Sequence, residues 1–230
     1  MASDNDLKTL MKTIGYSFRD ETLLIQALTH SSYANERREK ISDYERLEFL
    51  GDAVLEMIVS DALYKEHPDL REGELTKKRA ALVCEPSLAY CAKKIGLCDY
   101  IFLGKGEEAA GGRERVAIIS DVLEAVLGAV YLDGGYDAAE RYVREIVLKN
   151  QESLRLFHDS KTMLQELVQG RKLPPLSYRI VGERGPEHRR IFTCEALIGD
   201  KVMGSGEGTS KKAAEQNAAY QALLALEDRS

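Results

Sequence analysis

The sequence predicts an all-α domain over residues 1–150 and a small α+β domain of order α-β-β-β-α over 160–230, joined by a linker at 151–159. Two observations carry this division. Apolar residues recur at helical spacing through the first part, whereas three later segments alternate with the two-residue period of half-buried strands. Charge divides at nearly the same place. Of the chain's 32 Lys+Arg and 38 Asp+Glu, residues 158–230 hold 11 and 10, a net of +1. Residues 1–157 hold the other 21 and 28, a net of −7, so the overall −6 conceals an acidic first part. Net charge governs solubility and steering, and local clusters decide what is bound.

Helices are expected at Leu7–Ile14, Asp20–Leu28, Tyr44–Lys65, Glu74–Cys84, Pro86–Ile95, Ile118–Leu132 and Tyr136–Lys149. Pro86 suits a first helical turn, where its missing N–H costs nothing, and Gly134-Gly135 breaks the chain before the last of these helices. Gly104–Gly112, rich in glycine, reads as a mobile surface loop. It is not a phosphate-binding loop, since no strand precedes it and no Gly-Lys-Ser/Thr ends it. Polar Asn150–Ser160 reads as the linker, followed by a short helix at Lys161–Gly170. Strands follow at Leu176–Val181, Arg190–Leu197 and Lys201–Gly206, then a helix from about Ser210 to Leu226. Such an order puts helices on one face of an antiparallel sheet.

Composition narrows the class. Hydrophobic residues at 44% and charged ones at 30% are ordinary for a soluble globular protein. No apolar run reaches membrane-spanning length, and the N-terminus lacks the pattern of a signal peptide, so no membrane partner and a cytoplasmic location are expected. Cys84, Cys91, Cys98 and Cys194 include no Cys-x-x-Cys pair, and Pro86 and Gly96 interrupt the seven-residue recurrence of the first three. Buried, reduced thiols are expected rather than a zinc site.

The acids carry the chemistry. With Glu45 set at zero, Glu48 falls at about 300° and Asp52 at about 340° around the helix, a shared sector about 60° wide. Leu47, Leu50, Val54, Met57 and Ile58 fill the opposite side, and Phe49 and Leu55 flank the acids. No base lies within the acidic sector, although like charges at i,i+4 destabilise a helix, so the cluster calls for a cation. Asp121 and Glu124 stand three apart on another helix, where Ala125 and Gly128 share their face and leave room for a close neighbour. Val122, Leu123, Val126, Leu127 and Val130 form its core side. Two such helices converge into an all-oxygen site of the kind Mg²⁺ favours, suited to phosphodiester hydrolysis. Spacing alone leaves the alternative that these acids simply solvate helix surfaces. Glu72 and Glu74 complement a helix dipole. Arg46 and Lys77-Lys78-Arg79 are either phosphate contacts or surface charge, and spacing does not decide.

In the last helix Lys211 and Lys212 occupy a first turn that normally prefers acids. They are either an anion site, where helix N–H groups and lysines meet phosphates, or two ordinary surface lysines.

Asp43-Tyr-Glu-Arg-Leu-Glu-Phe-Leu-Gly-Asp-Ala-Val-Leu55 resembles the signature of bacterial ribonuclease III. Leu28-Thr-His-Ser-Ser-Tyr33, Glu72-Gly-Glu-Leu-Thr-Lys-Lys-Arg-Ala80 and Asp121-Val-Leu-Glu-Ala-Val-Leu-Gly128 support the resemblance, which spans nearly the whole chain in order. Asp43 stands where the family usually has Asn. The resemblance implies an all-α catalytic domain with Mg²⁺ (Mn²⁺ as a substitute) held by Glu48, Asp52, Asp121 and Glu124, of which Asp52 and Glu124 are most directly needed for hydrolysis. Glu45 and Glu72 match auxiliary acidic positions. It also implies a homodimer without a nucleotide cofactor, each subunit cutting one strand of double-stranded RNA to leave 5′-phosphate and 3′-hydroxyl ends, with ribosomal RNA precursors and structured mRNAs as substrates. The C-terminal part resembles the double-stranded RNA-binding domain. Its contacts match Gln165 and Glu166 in the first helix, Pro186 and His188 in the loop after the first strand, and Lys211 and Lys212. Two other readings, a non-catalytic RNA-binding protein and a nuclease of DNA, fit less well: all four ligand acids are present, and the C-terminal domain suits an A-form duplex.

Overall fold

The computed structural model describes residues 4–185 and 190–227, and the chain separates into two compact units, Met1–Gln151 and Glu152–Ser230. The first unit is helical: α1 (Asp4–Ile14), α2 (Glu21–Ala27), α3 (Ser31–Asn35), α4 (Glu45–Glu66), α5 (Glu72–Val83), α6 (Glu85–Lys94), α7 (Lys105–Ala109), α8 (Val116–Gly134) and α9 (Tyr136–Ile146), with short 3-10 turns between some of them. Asp20 starts α2 by accepting the Thr22 N–H at 3.0 Å, and Glu74 Oε2 accepts the Arg71 N–H at 3.1 Å at the start of α5. Gly135, at φ +75°, ends α8 in a backbone conformation that a side chain would strain.

Helix α8 is the axis of this unit. Ile119, Val122, Ala125, Val126, Ala129 and Val130 are completely buried, and α2, α4, α6 and α9 all pack around it. A helix as largely apolar as this one is stable only when packed on most of its sides. Its C-terminal end is clasped by the α1–α2 turn: Asp133 accepts hydrogen bonds from the Tyr16 hydroxyl (2.6 Å) and the Arg19 and Asp20 N–H groups (2.9 and 3.1 Å). Burial would raise the Asp133 carboxyl, but these donors outweigh it and hold it below its ordinary value.

Between α4 and α8 the two backbones touch. A Cβ on Gly51 would overlap the Glu124 carbonyl, and one on Gly128 would overlap the Leu47 carbonyl. Glycine inside a helix costs about 1 kcal/mol relative to Ala, so its presence on both helices marks a contact that no side chain permits. That contact also turns α4. Its buried residues are Leu47, Gly51, Val54, Leu55, Ile58, Val59, Ala62 and Leu63. This stripe centres near 250° in the frame used above, about 80° from the centre that the apolar pattern suggested. Leu55 is therefore core, whereas Met57, expected inside, is 47% exposed.

In the second unit α10 (Gln151–Gly170) precedes an antiparallel sheet in the order β1 (Leu176–Arg184), β2 (Ile191–Ile198), β3 (Lys201–Gly208), and α11 (Lys211–Glu227) follows. Leu164 and Val168 of α10 and Ala214, Ala218 and Ala222 of α11 share one core with Cys194, Ala196 and Ile198 of β2. Both helices therefore lie on the same sheet face, as the α-β-β-β-α order implied. Gly204, Gly206 and Gly208 line the side of β3 that meets α11, where a Cβ would strike the backbone around Ala222, Ala218 and Ala214.

Three local expectations change. Residues 151–159, polar enough to suggest a linker, are helical as the first turns of α10, and Leu156 packs against the second unit's core. The Gly104–Gly112 segment contains α7 rather than only loop. It is tied down by Arg113, which donates to the Cys98 carbonyl (2.6 Å), the Ile101 carbonyl (3.1 Å) and Glu108 (2.6 Å). Of the four thiols, Cys91 and Cys194 are buried while Cys84 and Cys98 are partly exposed. Among the described residues no helix is long and apolar enough to cross a membrane.

The α4–α8 contact is directly testable. Gly51→Ala should cost about 3 kcal/mol or more in chemical denaturation, because the added methyl meets backbone rather than a movable side chain. A variant as stable as the parent would mean that the two helices are free to separate.

Candidate metal centre

Helix α4 delivers Glu48 and helix α8 delivers Asp121 and Glu124 to one spot, where one carboxylate oxygen from each lies within 4.8 Å of the others. The i,i+3 spacing puts Asp121 and Glu124 on one face of α8, and the glycine contact brings that face against α4. All three side chains are partly buried, and none takes part in a salt bridge among the described residues.

The unbalanced charge appears in their protonation. Burial, then the charges of Asp52, Asp121 and Glu48, push the Glu124 carboxyl up to about 8. Glu48 is raised by burial and by Asp121, Glu45 and Asp52. Asp121 is raised by burial, although a hydrogen bond from the Tyr44 hydroxyl, 3.3 Å from its Oδ2, pulls the other way. The Tyr44 phenol, raised by burial and by Asp121 and Glu48, remains a donor at any working pH. Several partly desolvated carboxylates that hold one another's protons on are the donor set a hard divalent cation fits: all oxygen, anionic once loaded, and in no salt bridge among the described residues.

The expected ligands divide. Glu48, Asp121 and Glu124 come together. Asp52 is exposed and stands outside the group, though its charge acts on both Glu48 and Glu124. Glu45 is also exposed and outside it. Glu72 opens α5 and accepts a hydrogen bond from Thr76 Oγ1 at 3.0 Å. Two contributors escaped sequence reasoning. Tyr44 precedes the acidic helix and gives no periodic signal. Glu85 opens α6, where it reads as a dipole-complementing acid, yet its charge raises both Asp121 and Glu124.

In the second unit, Gln165 and Glu166 are exposed on α10, away from the core residues Leu164 and Val168. Lys211 and Lys212 are exposed in the first turn of α11, where Ser210 Oγ accepts the Ala213 N–H at 3.1 Å. The Lys211 ammonium lies 5.9 Å from the Phe192 ring centroid. Pro186 and His188 lie outside the described residues.

Residues 20–151 match the ribonuclease-III-like family model, and residues 160–226 match the double-stranded RNA binding motif. Ribonuclease 3 of Caldanaerobacter subterraneus subsp. tengcongensis is 49% identical over 96% of this chain and 98% of its own length. Ribonuclease 3 of Listeria monocytogenes is 46% identical over 98% of this chain and 100% of its own. Among solved structures, the nuclease domain of ribonuclease III from Campylobacter jejuni, described for flexibility in a region involved in dimer formation, aligns with a TM-score of 0.59 at 42% identity. The alignment covers 63% of this chain and 97% of that one.

The cluster's electrostatics make a solution prediction. Carboxyls raised in the folded state bind protons more tightly than in the unfolded chain, so without metal stability falls as pH rises from about 4.5, the ordinary value, through about 8, the Glu124 value. Divalent cation relieves the repulsion and displaces those protons. Its stabilising effect on Tm should therefore be larger at about pH 8 than at about pH 5.5. Calorimetry with and without cation reads this, and an equal gain at both pH values would count against the cluster as the binding site.

Proposed function

The chain belongs to the ribonuclease III family, and from that premise we propose that it cuts double-stranded RNA by Mg²⁺-dependent hydrolysis, leaving 5′-phosphate and 3′-hydroxyl ends. The observation that carries the proposal is the meeting of Glu48, Asp121 and Glu124, with no salt bridge to any of them among the described residues, in a chain that also bears a double-stranded RNA binding motif. In this reading those three carboxylates hold the cation, with Asp52, whose charge already acts on Glu124, completing the set. Bound Mg²⁺ supplies activation of a water and stabilisation of the phosphodiester oxygens, a role that Mn²⁺ also fills. Asp52 and Glu124 are the acids on which hydrolysis most depends. Glu45 and Glu72 have auxiliary roles toward metal or RNA, and no nucleotide cofactor takes part.

The second unit supplies the grip on the duplex. Gln165 and Glu166 of α10, and Pro186 and His188, read successive minor grooves of an A-form helix, while Lys211 and Lys212 meet phosphates across the major groove. We assign processing of ribosomal RNA precursors and structured mRNAs in the cytoplasm as the cellular role.

The enzyme works as a homodimer in this proposal. Phe49, Met57 and Tyr64 of α4 are 81%, 47% and 74% exposed, an apolar stripe on the side of the helix turned from the core. Removing one such side chain from water stabilises by about 1.5–3 kcal/mol, enough for a second copy to gain by covering it. The dimer-forming region described for the Campylobacter jejuni nuclease domain is consistent with this use of the fold.

Two outcomes are expected. A long RNA duplex should be cut in Mg²⁺ and left intact in EDTA, and Glu124→Ala should lower the cleavage rate by at least about 100-fold while still binding the duplex. Undiminished cleavage by Glu124→Ala would overturn the mechanism, and duplex binding without cleavage by the parent chain would favour a binding protein. Replacing Lys211 and Lys212 with Ala should weaken binding across all duplex sequences and flatten the dependence of log K on log salt by about 1–2. An unchanged slope would remove both lysines from the phosphate contacts.

A further inference from the structure

Tyr44 immediately precedes α4 and is 4% exposed. Its backbone is held on both sides: its N–H donates to the Thr29 carbonyl at 2.9 Å, and its carbonyl accepts the Leu47 and Glu48 N–H groups at 2.8 and 2.9 Å. The ring rests against His30, with centroids 5.7 Å apart. His30 is itself fixed, because the Ser32 N–H donates to its Nδ1 at 3.1 Å. Ser32 Oγ, 2.7 Å from the same nitrogen, accepts the Gly104 N–H at 2.9 Å. A ring held on so many sides has little freedom to re-aim its hydroxyl, and that hydroxyl lies 3.3 Å from Asp121 Oδ2. No hydrogen bond of this kind reaches Glu48 or Glu124 among the described residues.

We propose that Tyr44 is a positioning residue for the metal centre: its hydroxyl holds one oxygen of Asp121 so that the carboxylate is oriented for a cation shared with Glu48 and Glu124. This rests on the reading of the acidic cluster as a divalent-cation site. A carboxylate's terminal torsion is broad and roughly two-fold, so an unrestrained Asp121 spreads over orientations in which its oxygens turn away from its two anionic neighbours. A donor on one oxygen narrows that spread and offsets part of the repulsion. Hydrogen bonds to metal ligands commonly orient them in this way, and their loss costs about 10–100-fold in affinity or activity. Tyr44 reaches across from the start of α4 to α8, so it also links the two helices whose separation the site depends on.

Tyr44→Phe removes the hydroxyl and keeps the ring that packs on His30. On the full-length chain without RNA, its Kd for Mn²⁺ by calorimetry should rise by about 10-fold, with duplex affinity in Ca²⁺ unchanged. In cleavage assays the Mn²⁺ concentration for half-maximal rate should rise similarly, while the rate at saturating Mn²⁺ recovers most of the parental value. An unaltered Kd in the folded variant overturns the inference. Asp121→Ala, run alongside, separates this failure from that of the underlying reading: if the parent binds Mn²⁺ and Asp121→Ala weakens it, the site stands and only the role of Tyr44 falls. If the parent binds no Mn²⁺, both fall. Should Tyr44→Phe not fold, fluorotyrosine at position 44 of the otherwise unaltered chain gives a second reading. Its fluorine resonance should shift on Mg²⁺ addition, and a resonance that does not move overturns the inference.

Discussion

Gly51 of α4 lies against the Glu124 carbonyl of α8, and Gly128 of α8 lies against the Leu47 carbonyl of α4, so two helix backbones meet with no side chain between them. Helices separated by ordinary side chains stand about 8–10 Å apart. Removing the Cβ from both shortens that distance, and the acids on the flanks of the contact are carried together with it. Glu48 sits one turn before Gly51, and Glu124 one turn before Gly128. The cluster of Glu48, Asp121 and Glu124 is therefore a consequence of how closely α4 and α8 pack.

The proximity that makes the site useful also makes it unfavourable without a cation. Burial and mutual repulsion raise Glu48, Asp121 and Glu124, and the charge of His30 and the hydrogen bonds to Asp121 offset only part of this. An apolar substitution there would relieve the strain on the fold, so the acids are explained by what they bind rather than by stability. The surrounding structure is correspondingly firm: the buried core side of α8, the Asp133 clasp at its end and the fixed Tyr44 ring beside its Asp121. Rigid surroundings hold like charges at a distance they would otherwise increase.

The second unit repeats the device in a sheet. Glycines at every second position of β3 and alanines at every fourth position of α11 let helix and strand approach until only backbone and methyl groups separate them. Lys211 and Lys212 begin the helix so seated, and their position relative to the sheet follows from that packing. In both units small residues set the geometry, and the charged residues that act on a ligand are carried by it.

The sequence by itself determined the longer helices of the first unit, though not α3 or α7, the three strands with the helices that flank them, and the set of acids from which the site is built. Those features are local: periodicity, capping and turn chemistry act within a few residues and are written in order along the chain. Even the close approach was half legible, in Ala125 and Gly128 beside Asp121 and Glu124. Gly51, in the midst of the acidic helix, carries the other half, and a lone glycine there gives no periodic signal. The tertiary structure alone decided which acids meet. Glu45, Glu48 and Asp52 share one sector of an isolated helix, but the docking of α8 on Gly51 turns that sector about 80° toward the core at Glu48 and leaves Glu45 and Asp52 in solvent. It alone brought Tyr44 to Asp121 and the charge of Glu85 to Glu124, because electrostatic and hydrogen-bond partners are chosen by distance in space. Separations of 77 residues for the first pair and 39 for the second leave no periodic trace in a sequence.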